Sequence, residues 1–85
     1  MSKIDILLFN DLNDIIEEIN INKPKTYSDL LSLVKIKLKN LPNNYSIFFI
    51  SDKKEIAIKI DEDYKLSKDI LFIRPALQLD NHYFQ

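Results

Sequence analysis

The sequence holds no glycine, no cysteine and no tryptophan in 85 residues, and only one histidine. Glycine normally makes up about 7% of a chain. Without it, the loops that cradle phosphates and the fingerprints that bind dinucleotides are excluded in their usual forms, because both need close backbone approach. Turns that require positive φ must instead use Asn and Asp. Without cysteine there are no disulfides, no thiolate zinc sites and no thiol chemistry. Long apolar runs are missing too: nothing approaches the ~20 residues a membrane span needs. The opening MSKIDILLFND has too short an apolar run and no small-residue cleavage site, so no signal peptide is expected. A cytoplasmic or otherwise intracellular setting is the expectation, or a place in a virus particle. Charge of one sign is also lacking. Twelve basic and thirteen acidic residues leave a formal charge of −1, which argues against a dedicated nucleic-acid binder needing a basic face.

What is present suffices for one domain with one core. Hydrophobic residues are 46% of the chain, well above the range of disordered segments. Thr26 to Leu41 (TYSDLLSLVKIKLKNL) is the clearest helix. Thr26 or Ser28 can cap it, Asp29 suits its positive end, and Leu30, Val34, Leu38 and Leu41 fall on one stripe. Pro42 disfavours helix at the residue before it. Lys37 falls inside the apolar arc, and Ile36 falls on the wet face.

Short β-prone runs lie on both sides. Ile4 to Phe9 reads as a strand with Ile4, Ile6 and Leu8 on one face and Leu7 and Phe9 on the other. Ile15 to Ile21 reads as strand or helix; its brevity, its isoleucines and the following Asn22 and Pro24 favour a strand in hairpin with the first. Tyr45 to Ile50 is the most β-prone window. Asp52-Lys53-Lys54 makes a tight turn, and Glu55 to Ile60 alternates with Ile56, Ile58 and Ile60 on one face. Asp61-Glu62-Asp63 reads as an acidic turn, Tyr64 and Leu66 as an anchored loop, and Ile70 to Ile73 as a last strand closed by Arg74 and Pro75. Residues 76–85 form a tail rich in apolar side chains. The order strand, strand, helix, strand, strand, strand predicts an α+β fold, a mixed sheet of about five strands with one helix across one face.

In that order and spacing the chain resembles the ubiquitin-like β-grasp superfamily, over roughly Ile4 to Pro75. The segment from Asp61 to Pro75 looks like the closing segment of small sulfur carriers and of β-grasp phage tail assembly proteins. There a short loop ending in an acidic residue leads into an apolar strand and a proline. Those families usually carry glycine in the loop, where Ser67-Lys68 stands here. The resemblance implies a domain at 1–75, a tail at 76–85, and a non-catalytic module that works by docking. Sulfur carriers and conjugating relatives end in Gly-Gly; this sequence ends His82-Tyr83-Phe84-Gln85, so carrier activity would require a Gly-Gly that has been lost from it. Another β-grasp branch pairs an acidic cluster with a partner's basic cluster. Asp52, Glu55, Asp61, Glu62 and Asp63 stand roughly where such a cluster would lie, but that branch places a full helix before its last strand, and Tyr64 to Asp69 is too short for one.

Catalytic chemistry has little to stand on. His82 is a lone histidine near the C-terminus, and the strained turn that carries a nucleophilic serine needs glycines. Asp61-Glu62-Asp63 lacks the spacing of a calcium loop. Lys23, Lys25, Lys35, Lys37 and Lys39 could meet an acidic partner or form a plain solvated face. No catalytic residue, cofactor or metal is expected. The stronger signal is surplus apolar surface. The third and fifth strands are apolar on both faces, and one helix covers one face only. A contiguous exposed apolar patch usually marks a partner site, and the tail's Leu77, Leu79, Tyr83 and Phe84 could equally fold over it. Phe48, Ile50, Phe9, Leu71, Ile73, Ile36, Tyr83 and Phe84 are therefore the expected contacts to a protein partner, in a homo- or hetero-oligomer, as an adaptor, a small assembly subunit or a phage tail or other particle component.

Overall fold

The computed structural model describes residues 2–76. The elements run β1 (Lys3–Phe9), β2 (Ile15–Asn22), α1 (Tyr27–Lys37), β3 (Tyr45–Ser51), β4 (Lys54–Ala57), α2 (Asp61–Lys65) and β5 (Ile70–Pro75). The strands form one sheet in the order β2-β1-β5-β3-β4. β5 lies at the centre, parallel to β1 and antiparallel to β3. The connection through α1 carries the chain from one half of the sheet to the other. This is the β-grasp arrangement the element order predicts.

The core lies between α1 and one face of the sheet. Ile4, Ile6 and Leu8 of β1, Ile47 and Phe49 of β3, and Leu71 and Ile73 of β5 pack with Leu30, Val34 and Leu38. Period-two alternation along the strands meets the three-to-four-residue period of the helix. Each of these three side chains, Leu30 and Val34 of α1 and Leu38 at its C-cap, contributes about 1.5–3 kcal/mol gross on burial.

Without glycine, the tight turns use the substitutes the composition predicts, with one addition. Asn10 Oδ1 accepts from the N–H groups of Leu12 and Asp14, each at 2.9 Å, and Asn13 sits at φ 66°. In the β3–β4 hairpin both turn residues are left-handed, Asp52 at φ 51° and Lys53 at φ 66°, between the paired Ser51 and Lys54. This two-residue turn normally favours Asn-Gly or Asp-Gly. Lys53 adopts the glycine conformation with a Cβ in place.

Three elements differ from expectation. The helix ends at Lys37 rather than Leu41, with Leu38 already extended. The Glu17 carboxylate of β2 accepts from the N–H of Lys39 at 2.9 Å and of Asn40 at 2.9 Å, drawing the chain off the helix before Pro42 requires it. Lys37 is consequently exposed in the last turn, not within the apolar arc. β4 ends at Ala57, so Ile56, Ile58 and Ile60 do not share a strand face. Ile58 is in the core and donates its N–H to the Ile47 carbonyl at 2.8 Å; Ile60 caps the following helix and is exposed. The expected acidic turn and anchored loop form the short α2. Tyr64 anchors it from the core, while Leu66 lies exposed.

Candidate functional site: the open face of the sheet

Strand pairing fixes which side chains share the face away from α1. Leu7 of β1 pairs with Phe72 of β5, and Phe72 with Phe48 of β3. Phe48 pairs with Ala57, and Ile50 with Glu55, across to β4. The other row on β5 is Asp5 opposite Ile70. An aromatic line runs across this face: Phe9 stacks on Phe72 at 5.8 Å between centroids, and Phe72 on Phe48 at 5.4 Å. At its far end the Arg74 guanidinium lies 4.5 Å above the Phe48 ring and donates through Nη2 to Glu55 Oε2 at 2.9 Å. Arg74 Nε is buried without a hydrogen-bond acceptor; the ring face beneath the guanidinium is its compensating contact. Beyond Phe72, a hollow of about 320 Å³ is lined by Ile50, Ile70 and Phe72 with Lys68 and Asp69. Ile50 is 38% and Ile70 45% exposed.

Of the expected contacts, Phe9 and Ile50 lie on this open face. Phe48 does as well, but it is only 5% exposed. Phe72 and Arg74 cover it, so it supports the surface more than it presents one. Leu71 and Ile73 are corrected outright. Both are fully buried between sheet and helix, since the alternation along β5 turns Ile70 and Phe72 to the open side instead. Those two were missed because all four residues are large and apolar. One available signal was Arg74, which shares the parity of Phe72 and marks the side open to water. Ile36 is 75% exposed on α1, on the opposite side of the sheet. Tyr83 and Phe84, with Leu77, Leu79 and His82, lie outside the described residues.

The acidic triplet has structural work. Asp61 Oδ1 accepts the Tyr27 N–H at 2.9 Å, satisfying the start of α1 from α2. Asp63 Oδ2 accepts the Lys59 N–H at 3.0 Å. Among the described residues no three His, Cys, Asp or Glu side chains gather as metal ligands. Lys23 lies 5.8 Å from the Tyr64 ring centroid. Among the described residues no helix is long and apolar enough to cross a membrane.

This sheet order, with a single long helix across one face and a short helix before the central strand, is the ubiquitin-like β-grasp fold. Among solved structures, the ubiquitin-like domain of yeast Ddi1 is similar, with a TM-score of 0.51 and 16% identity over 94% of this chain and 96% of that one. No family model matches the sequence, and no curated protein matches it.

Proposed function

We propose that the chain is a non-catalytic interaction module that docks a protein partner on the open face of its sheet. The observation that carries this reading is the continuity of the apolar surface there: Phe9, Phe72 and Phe48 in stacked contact, with Leu7, Ile50 and Ile70 beside them. Stacked aromatics with half-exposed aliphatics at their edge are the composition of an interface centre, and the ionic pair Arg74–Glu55 suits its rim. Two of the three side chains of the acidic triplet, Asp61 and Asp63, accept backbone N–H groups. The tail belongs to the same reading. The last described residue, Ala76, donates its N–H to the Asn44 carbonyl just before β3, and the apolar Leu77, Leu79, Tyr83 and Phe84 that follow in the sequence are the residues that would add to the docking surface.

Affinity capture with Ile50→Asp and Ile70→Asp beside the wild-type chain tests the reading. Both positions are exposed, so the variants should melt near the wild type and lose the captured partner. An unchanged set of captured proteins in both variants would remove this face as the docking site.

A further inference from the structure

The two sides of the molecule carry complementary chemistry. On the open face, strand pairing sets Asp5, Glu18 and Glu55 around the apolar centre, with Lys3 and Arg74. Arg74 and Glu55 neutralise each other at 2.9 Å. Asp5 accepts from Asn20 Nδ2 at 2.7 Å, a neutral partner. The β1–β2 flank is therefore acidic at Asp5 and Glu18, against a single cation, Lys3, at the first position of β1. The hollow at Ile50, Ile70 and Phe72 is large compared with the roughly 30 Å³ one water occupies.

The outer face of α1 presents the reverse. Ile36 projects from it, 75% exposed. Lys35 and Lys37 adjoin it in the last turn, and Lys39 follows, also exposed. Ser32 stands one turn back. An isolated aliphatic knob flanked by Lys35, Lys37 and Lys39 thus stands on one side of the molecule; on the other is a largely apolar hollow, in whose lining Lys68 and Asp69 offset each other, with the acidic Asp5 and Glu18 on its β1–β2 flank.

We propose that the open sheet face takes the α1 outer face of a second copy of this chain. This rests on the reading of the sheet face as a docking surface and names its occupant. Because the two surfaces differ and lie on opposite sides of the sheet, the contact is heterologous. Every added copy leaves one free surface of each kind, so assembly proceeds head to tail into rings or filaments. Ile36 enters the hollow, and the α1 lysines meet Asp5 and Glu18, which orients the contact and makes it sensitive to salt.

Sedimentation of the full chain across concentration and ionic strength tests this. The expected result is a mass that rises past the dimer with concentration and falls on adding salt. Ile36→Asp and Ile70→Asp should each weaken association about tenfold or more while keeping the wild-type circular dichroism melt. Mixed together they should form a dimer and nothing larger, because one intact sheet face meets one intact helix face. A wild type that stays monomeric throughout, an Ile36→Asp variant that assembles like the wild type, or a mixture that stays monomeric would each overturn the assignment. If Ile70→Asp still loses its captured partner while the wild type is monomeric, the docking surface stands and only its occupant is wrong. If Ile50→Asp and Ile70→Asp change neither capture nor assembly, the docking surface itself falls.

Discussion

Tyr64 shows how single side chains fasten this fold. Its hydroxyl donates to the Pro24 carbonyl, tying α2 to the segment before α1, and Ser67 Oγ donates to the Tyr64 carbonyl at 2.7 Å. Burial pushes the phenol up to about 12, and the charge of Asp29 adds to the effect. A folded-state value above the ordinary 10.0 means the neutral form is favoured in the fold. Its stabilisation is complete below pH 10 and is lost as pH rises toward 12. Tyr64→Phe should cost about 1–3 kcal/mol, since the Pro24 carbonyl loses its donor. In urea titrations across alkaline pH its decline should be shallower than the wild type's, the remainder coming from Tyr27 and Tyr45, whose phenols burial also raises. Glu17 acts at the other end of the pH range. Partial burial pushes its carboxyl up, but the N–H groups of Lys39 and Asn40, the Asn40 side chain and the charge of Lys39 outweigh this and hold it below 4.5. Its stabilisation is present above that value and lost as pH falls through the lower folded-state one. Glu17→Gln should therefore flatten the acid side of the stability profile. Lys53 offers a gain. A Cβ at φ 66° costs roughly 1–2 kcal/mol, partly offset by the freedom glycine brings to the unfolded chain. Lys53→Gly should stabilise by about 0.5–1 kcal/mol, read as a higher urea midpoint at unchanged slope.

At the scale of elements, β5 decides which chemistry faces which side. Leu71→Ala empties a site with no exposure at all and should cost about 2–5 kcal/mol. Ile70→Asp, one residue away on the open side, should cost about 1 kcal/mol or less. Urea melts of the two variants would read the sidedness of the strand directly. That sidedness was the part of the site the sequence hid. β1 was legible because its fully apolar face, Ile4, Ile6 and Leu8, alternates with a face broken by Asp5. β5 has no such break before Arg74, so Leu71 and Ile73 were as credible on the surface as Ile70 and Phe72. The order and pairing of elements were legible because each rests on local signals: Thr26 accepting from the Asp29 N–H at 3.1 Å, turn residues at Asn10 to Asp14, and dense β-branched and aromatic runs. The end of α1 and the form of α2 were not, because tertiary bonds set them. Glu17 reaches across 22 residues to stop α1, and Asp61 at the start of α2 is tied across 34 residues to the Tyr27 N–H. No window of sequence contains both partners of either bond.

For the whole molecule, the question is how much of the chain the fold needs. Among the described residues, the core side chains between helix and sheet fall from Ile4 to Ile73, and the five strands and two helices end by Pro75. The last described bond is from the Ala76 N–H to Asn44. A chain cut after Ala76 keeps each of these. If residues 77–85 serve docking, as proposed, the cut chain should melt within about 4 °C of the full one, a shift worth no more than about 1 kcal/mol for a domain of this size. Its association should weaken in the same sedimentation experiment. Should the tail instead seal the aromatic line of Phe9, Phe72 and Phe48, its removal would uncover that surface. The melting temperature would then fall by well over 4 °C, and association would strengthen, because a covered face had been opened. Only the second outcome lowers stability, and the two move assembly in opposite senses, so one truncation, measured both ways, separates a tail that recruits a partner from a tail that competes with one.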